Sequence, residues 1–402
     1  MTISRRRFLG TTAALAAAMG ASPGLLADAA GAHGDSRPRG LGPLGDPDAN
    51  GLRLPRYFRS RVVARAQQTV DGTDYPWHIF PDGGACYPTR DGGWIYVSTS
   101  ETFGAADGGV SAIRFSAGGR ITDAYRILEG STRNCAGGVT PWGTWLSCEE
   151  VERGRVFECD PYGRRASREL PALGRFIHEA AAVDPSRRFV YLTEDATDGR
   201  LYRFAADRPG DLTKGRLQAA KVTGSRVNWI DVPDPSAATV PTRKQLPETT
   251  VFGGGEGIWW SQGGITFVTK HDHRLWRLDD RRGRIELFYD ALAPSAKGVL
   301  GEPDNIFVTG DGDVFVCEDQ PENQQVVLIT RRGTVLPVVE LVGQSGSEIA
   351  GVAFNPRGDR MYISSQRGTD RAPGLGITYE IRGPWHVETS RRGWHSGWGR
   401  GH

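Results

Sequence analysis

The sequence predicts an all-β chain wound into a β-propeller of about six blades, with five or seven as the alternatives. Three observations predict it. Short apolar strands bounded by Gly, Asp and Pro turns recur from about Val62 to Ile381, and 54 glycines and 24 prolines in 402 residues suit many tight turns. No helical period persists along the chain. Three strands also end alike: Trp145-Leu146-Ser147-Cys148-Glu149-Glu150, Val190-Tyr191-Leu192-Thr193-Glu194-Asp195 and Val314-Phe315-Val316-Cys317-Glu318-Asp319 each close on two carboxylates. A blade is a four-stranded sheet repeated every 40 to 50 residues or so, and such endings mark one place in that repeat.

Taken in order, the N-terminus comes first. Ser4-Arg5-Arg6-Arg7-Phe8-Leu9 precedes an Ala-rich apolar stretch from Thr11 to Ala21, and Ala27-Asp28-Ala29 and Ala30-Gly31-Ala32 supply A-x-A cleavage motifs. Residues 1–32 read as a twin-arginine signal peptide, too short and too interrupted to span a membrane. The expected address is secreted or periplasmic, with the twin-arginine machinery as a partner and no stable membrane association after cleavage. Residues 33–60, rich in Gly, Pro and Arg, read as a flexible leader. Residues 61–388 read as one propeller domain, since each blade packs only on its neighbours. The repeat shows in units such as Gly93–Ser98, Val110–Phe115, Ile265–Thr269 and Arg274–Leu278, with turns at Asp184-Pro185, Gly310–Asp313 and Asn355–Gly358. Asp207 to Thr250 is a Pro-rich polar insertion, and residues 389–402 form a Gly/Trp/His tail expected to be disordered.

A formal charge of +2 favours neither nucleic acid nor an anionic membrane. Five cysteines are too few for a disulfide framework and odd in number, leaving room for a free ligand or core residues.

Upstream of each acidic pair stands a residue able to bind metal: Cys135 is 14 positions before Glu149, Glu179 is 15 before Glu194, and Asp304 is 14 before Glu318. Cys135, Glu179, Glu256, Asp304 and Glu348 follow one another at spacings of 44, 77, 48 and 44, the long gap holding the insertion. Equivalent positions in a propeller converge on the central channel, so these residues should meet there. Any one acidic pair reads best as a solvated turn. Three in register, each with its upstream donor, read as a cluster that repels itself unless cations neutralise it. The expectation is a metal site in the channel.

The segment Asn134-Cys135-Ala136-Gly137-Gly138-Val139-Thr140-Pro141-Trp142-Gly143-Thr144-Trp145, followed by Cys148-Glu149-Glu150, resembles the signature block of the PhoX-type alkaline phosphatases. His178–Asp184 through Tyr191–Asp195, Glu302–Asn305, and Glu348–Gly351 through Gln366 resemble later blocks, so the likeness spans roughly residues 75–385. The resemblance implies a six-bladed propeller with an iron–calcium cluster, acting on small phosphate esters. It implies that Cys135 is the thiolate between two irons, that Glu149 and Glu150 hold calcium, that Glu179 and Glu256 ligate iron, and that Asp304 and Glu348 close the site. His178 is expected to orient Glu179 rather than to ligate. Glu256 and Lys270 are the candidate catalytic residues: Glu256 at the boundary between metal and substrate, Lys270 as a point charge. The family places an arginine near the phosphate two residues before the glutamate that Glu256 resembles; here that position is Gly254. Losing a bidentate guanidinium removes a strong phosphate contact. No G-x-S-x-G elbow occurs, so a serine nucleophile has no support. Two rival classes are a calcium-dependent lactonase or esterase propeller, which would need no role for Cys135, and a non-catalytic secreted propeller braced by metal.

Overall fold

Short strands rich in apolar residues, several of them buried along their whole length as stacked sheets require, pair antiparallel through short turns and account for nearly all of the regular structure. The structure is a computed structural model that describes residues 41–385 and 387, apart from 105–106, 297, 321–323 and 371–373. They lie within the unit Arg39–His402. The expected signal peptide, residues 33–40 of the leader, and the 389–402 tail fall outside the described residues. Among those described there is no α-helix, only three short 3-10 turns. No helix there is long and apolar enough to cross a membrane.

The fold is an all-β, propeller-like array. Six strands, Pro81–Pro88, Gly138–Val139, His178–Val183, Gly255–Ser261, Pro303–Val308 and Ile349–Phe354, neighbour one another in a closed ring. Further strands run outward from each. Hydrogen bonding groups them into five sheets rather than six: three of four strands, one of five and one of nine. The nine-stranded sheet arises because Arg226–Asp231, a strand inside the 207–250 insertion, meets Arg284–Asp290 through a single pairing, Arg226 with Arg284. Arg59–Arg65 pairs with Ile377–Arg382, so the two ends of the described chain share one sheet.

Part of the expected leader is not free. Leu52–Arg53 pairs with Leu341 and Glu340, and Leu41, Leu52, Leu54 and Phe58 are buried in the core beside Phe315 and Trp385. Their apolar side chains hold 41–60 against the sheets. The core itself lies between sheets in separate apolar clusters, as stacked blades require.

One local device recurs on the inner strands. Pairing shifts register after Pro81, His178, Gly255 and Pro303. Near the second inner strand, Asn134 bridges Glu149, and regular pairing resumes at Gly138. A bulge re-aims the residue beside it. The residues following those five positions are Asp82, Glu179, Glu256, Asp304 and Cys135.

Candidate metal centre

The bulged residues converge. Four groups of donor atoms, each within 4.8 Å of one another, follow in sequence: Asp82, Glu101 and Cys135; Cys135, Glu150 and Glu179; Glu179, Glu256 and Asp304; Asp304, Asp319 and Glu348. Adjacent groups share Cys135, Glu179 and Asp304, so the set is continuous. All but Asp319 are buried.

A second position on the neighbouring strand completes the pattern. The amides of Glu101, Glu150, Asp195, Lys270 and Asp319 donate to the carbonyls of Phe80, Arg133, Ile177, Gly254 and Glu302, two residues before each bulged residue. Four of the five are acids, and the fifth is Lys270. The sixth inner strand differs. Its bulge falls after Ala350, at Gly351, where neither residue can ligate, and Glu348 supplies the carboxylate from just before the strand.

Of the residues singled out in the sequence, Cys135, Glu150, Glu179, Glu256, Asp304 and Glu348 stand in these groups. Glu149 does not. Its carboxylate accepts from Arg155 Nε at 2.7 Å and Nη2 at 2.6 Å, and from the amides of Thr132 and Arg155 at 2.9 Å each. Alternation along a strand sends neighbours to opposite sides, so only the second acid of the pair can face the channel. Glu194 and Glu318, the first acids of the other pairs, likewise bind structure: Glu194 takes Tyr202 Oη at 2.9 Å and Arg243 at 3.2 Å, and Glu318 takes the Gly301 amide at 2.5 Å. His178 is a packing residue. It is buried on Phe176 and hydrogen-bonded to the Gly174 carbonyl at 3.1 Å, and burial pushes its imidazole down to about 3.

Asp82, Glu101 and Asp319 are donors that the spacing argument did not assign. Asp82 lies 53 residues before Cys135, outside the 44 to 48 rhythm, and Ser98-Thr99-Ser100-Glu101 ends on one acid instead of two. The strand Trp94–Ser100 leading into an acid was the signal available.

The electrostatics are those of a crowded acid cluster. Burial, then Glu101 and Asp304, pushes Asp82 up to about 8. Burial, then Glu101, pushes Glu150 up to about 10. Burial raises Glu179, Glu256 and Glu348 well above the usual carboxylate range, helped by Glu256, Asp195 and Asp319 respectively. Burial, then Asp82 and Glu179, also lifts the Cys135 thiol. Three cations answer them. Lys270 Nζ lies 3.1 Å from Glu256, 3.2 Å from Asp319 and 3.7 Å from Asp304. Burial opposes the Lys270 charge, but these acids outweigh it and raise the ammonium. Arg133 lies 2.8 Å from Glu101 and 3.0 Å from Glu150, and Arg367 lies 2.8 Å from Glu348. With all eight donor carboxylates ionised, the three cations would leave a strong negative excess, which protons held on Asp82, Glu150, Glu179, Glu256 and Glu348 relieve.

The donor set fits bound cations. Asp82 Oδ1 and Glu179 Oε1 are buried without a hydrogen-bond partner among the described residues. Such atoms carry a desolvation cost unless something positive meets them. One soft thiolate among hard carboxylates suits a mixed set of metals.

Gly254 has φ +62°, and a Cβ there would stand 3.0 Å from the His271 ring. A side chain at this position would therefore be strained.

The family profile described as alkaline phosphatase PhoX matches residues 108–286 and 279–368. No curated protein matches the chain. Among solved structures, PhoX of Pseudomonas fluorescens in complex with vanadate, a transition state analogue, superposes with a TM-score of 0.70 at 16% identity, covering 89% of this chain and 100% of that one. A protein of unknown function from Bacteroides thetaiotaomicron superposes with a TM-score of 0.53 at 10% identity, covering 84% of each. A gluconolactonase from Xanthomonas campestris reaches 0.47 at 12% identity, covering 87% and 99%.

Proposed function

The chain belongs to the PhoX alkaline phosphatase family, and from that premise we propose that it is an exported phosphatase that hydrolyses small phosphate esters at an iron–calcium centre in its channel. The observation that carries this reading is the continuous run of donors, with one thiol among carboxylates. We read the nine-stranded sheet as two blades joined at Arg226 and Arg284, which makes six blades, one for each inner strand.

Cys135, with Glu179 beside it and Glu256 in the next group of donors, would hold iron, since a thiolate prefers transition metals. Glu150, Asp319 and Glu348 offer hard oxygens for calcium. When bound, such ions supply Lewis-acid polarisation and charge neutralisation to a transferring phosphoryl group. The chain's own residues do the rest. Arg133 and Arg367, with side chains 30% and 34% exposed, can draw a phosphate dianion towards a site whose acids would otherwise repel it. Lys270 offsets Glu256, Asp304 and Asp319 and favours their ionised, ligating forms. Glu256 would stand at the boundary between metal and substrate, with the positive charge of Lys270 Nζ 3.1 Å away. Export in a folded, metal-loaded form through the twin-arginine route fits Arg5-Arg6-Arg7 and the apolar stretch behind it.

Metal analysis of protein folded in its native host, together with phosphomonoester and phosphodiester assays, tests the proposal. Iron and calcium are expected together with turnover. Cys135→Ser should lose iron and turnover at once and keep part of the calcium. Protein full of both metals that hydrolyses neither ester would overturn the phosphatase reading.

A further inference from the structure

A second charged site stands away from the channel, where the Arg59–Arg65 strand meets the last sheet. There Arg59 pairs directly with Arg382, and Arg382 pairs directly with Arg360, so three guanidinium-bearing residues stand in one row across three adjacent strands. Directly paired residues share a face of the sheet, and like charges so placed are destabilising. The next row on that face, two residues along each strand, is Arg61, Glu380 and Tyr362.

Glu380 serves only part of this charge. It accepts from Arg360 Nη1 at 2.5 Å, from Arg61 Nη2 at 2.9 Å and from Tyr362 Oη at 2.7 Å. The carbonyls of Gly119 and Gly118 fix the same two arginines from the facing turn, at 2.7 Å and 3.2 Å. Arg61 Nε remains buried without a hydrogen-bond partner among the described residues. Arg59, Arg382 and Arg120 of that turn are exposed, and none has an ion pair among the described residues. These five arginines surround an open cavity of about 660 Å³, whose remaining ionisable residue besides Glu380 is Asp71. Five positive charges face two negative ones.

We propose that this cavity is a binding site for a multiply charged oxyanion, an oligophosphate or oligosulfate, held by Arg59, Arg120 and Arg382 and braced by Arg61 and Arg360. A chain of tetrahedral anions matches several guanidinium forks at once, which a single ion cannot do. The site does not depend on the phosphatase reading, since it shares no residue with the channel.

The test uses the full metal-loaded protein, with tripolyphosphate and sucrose octasulfate as probes at matched ionic strength. Calorimetry should show saturable binding of at least one probe, and Arg59→Gln/Arg382→Gln should weaken it about tenfold or more. The stronger probe tells phosphate from sulfate. Melting temperature supplies an independent sign. Without probe, Arg382→Gln should melt at or above wild type, because a like-charge contact is relieved; with probe, it should melt below. Binding that survives in the double variant, which would place the probe in the channel, overturns the proposal. So does an equal loss of melting temperature in Arg382→Gln with and without probe, or the absence of binding by both probes.

Discussion

Removing metal should make this protein progressively less stable as pH rises, and two carboxyls set a lower bound on the effect. Asp82 is raised from 3.8 to about 8 and Glu150 from 4.5 to about 10, both chiefly by burial. In the metal-free fold each keeps a proton that the unfolded chain has released above its ordinary value. A raised carboxyl therefore stabilises the fold fully below its unfolded pKa, and that stability is lost as pH rises through the folded one. Each retained proton costs about 1.4 kcal/mol per pH unit. Between pH 6 and 8, Asp82 and Glu150 together should cost about 5 kcal/mol, a large share of a typical folding stability. Over the roughly 340 described residues the unfolding entropy is roughly 0.7 kcal/mol/K, so the melting temperature should fall by at least about 7 °C. Metal binding displaces these protons and removes the dependence. Scanning calorimetry of chelated and metal-loaded protein at pH 6, 7 and 8 measures it. A chelated protein whose melting temperature is flat or rises over this range would refute the reasoning.

Three further outcomes are expected. Glu149→Gln should lower stability by about 3 kcal/mol by stripping Arg155 of a buried partner, yet leave metal content intact, whereas Glu150→Gln should lower metal content; denaturant titration and elemental analysis separate them. Gly351→Ala should cost about 2 kcal/mol or more and lower metal content, because φ is +67° and the new Cβ would stand 2.2 Å from the Asp82 carbonyl; an unchanged melting temperature would contradict it. Gly254→Arg should lower soluble yield and melting temperature instead of tightening phosphate binding, given the backbone at φ +62° and the His271 ring above it, and a normally folded variant with tighter binding would show the loop to be freer than this.

The strand-and-turn alternation, the repeat and the regular spacing of Cys135, Glu179, Glu256, Asp304 and Glu348, which the fold brings into neighbouring groups, can be read from the linear chain. These are legible because a propeller writes the same local pattern once per blade, and local pattern is what a linear chain displays. Tertiary structure decided what depends on direction. Glu149 and Glu150 are adjacent and alike in sequence, but strand alternation sends one to Arg155 and the other to the channel. Asp82 and Glu101 were hidden because their blade departs from the common spacing and ends on one acid, although the same bulge aims Asp82 inward. Residues 41–60 have the composition of a leader, but four buried apolar side chains find partners across the chain in the last strands, a contact no local pattern reveals. The row of Arg59, Arg382 and Arg360 was invisible for the same reason. Its members are more than 300 residues apart at the extremes, and only antiparallel pairing at the meeting of the chain ends makes neighbours of them.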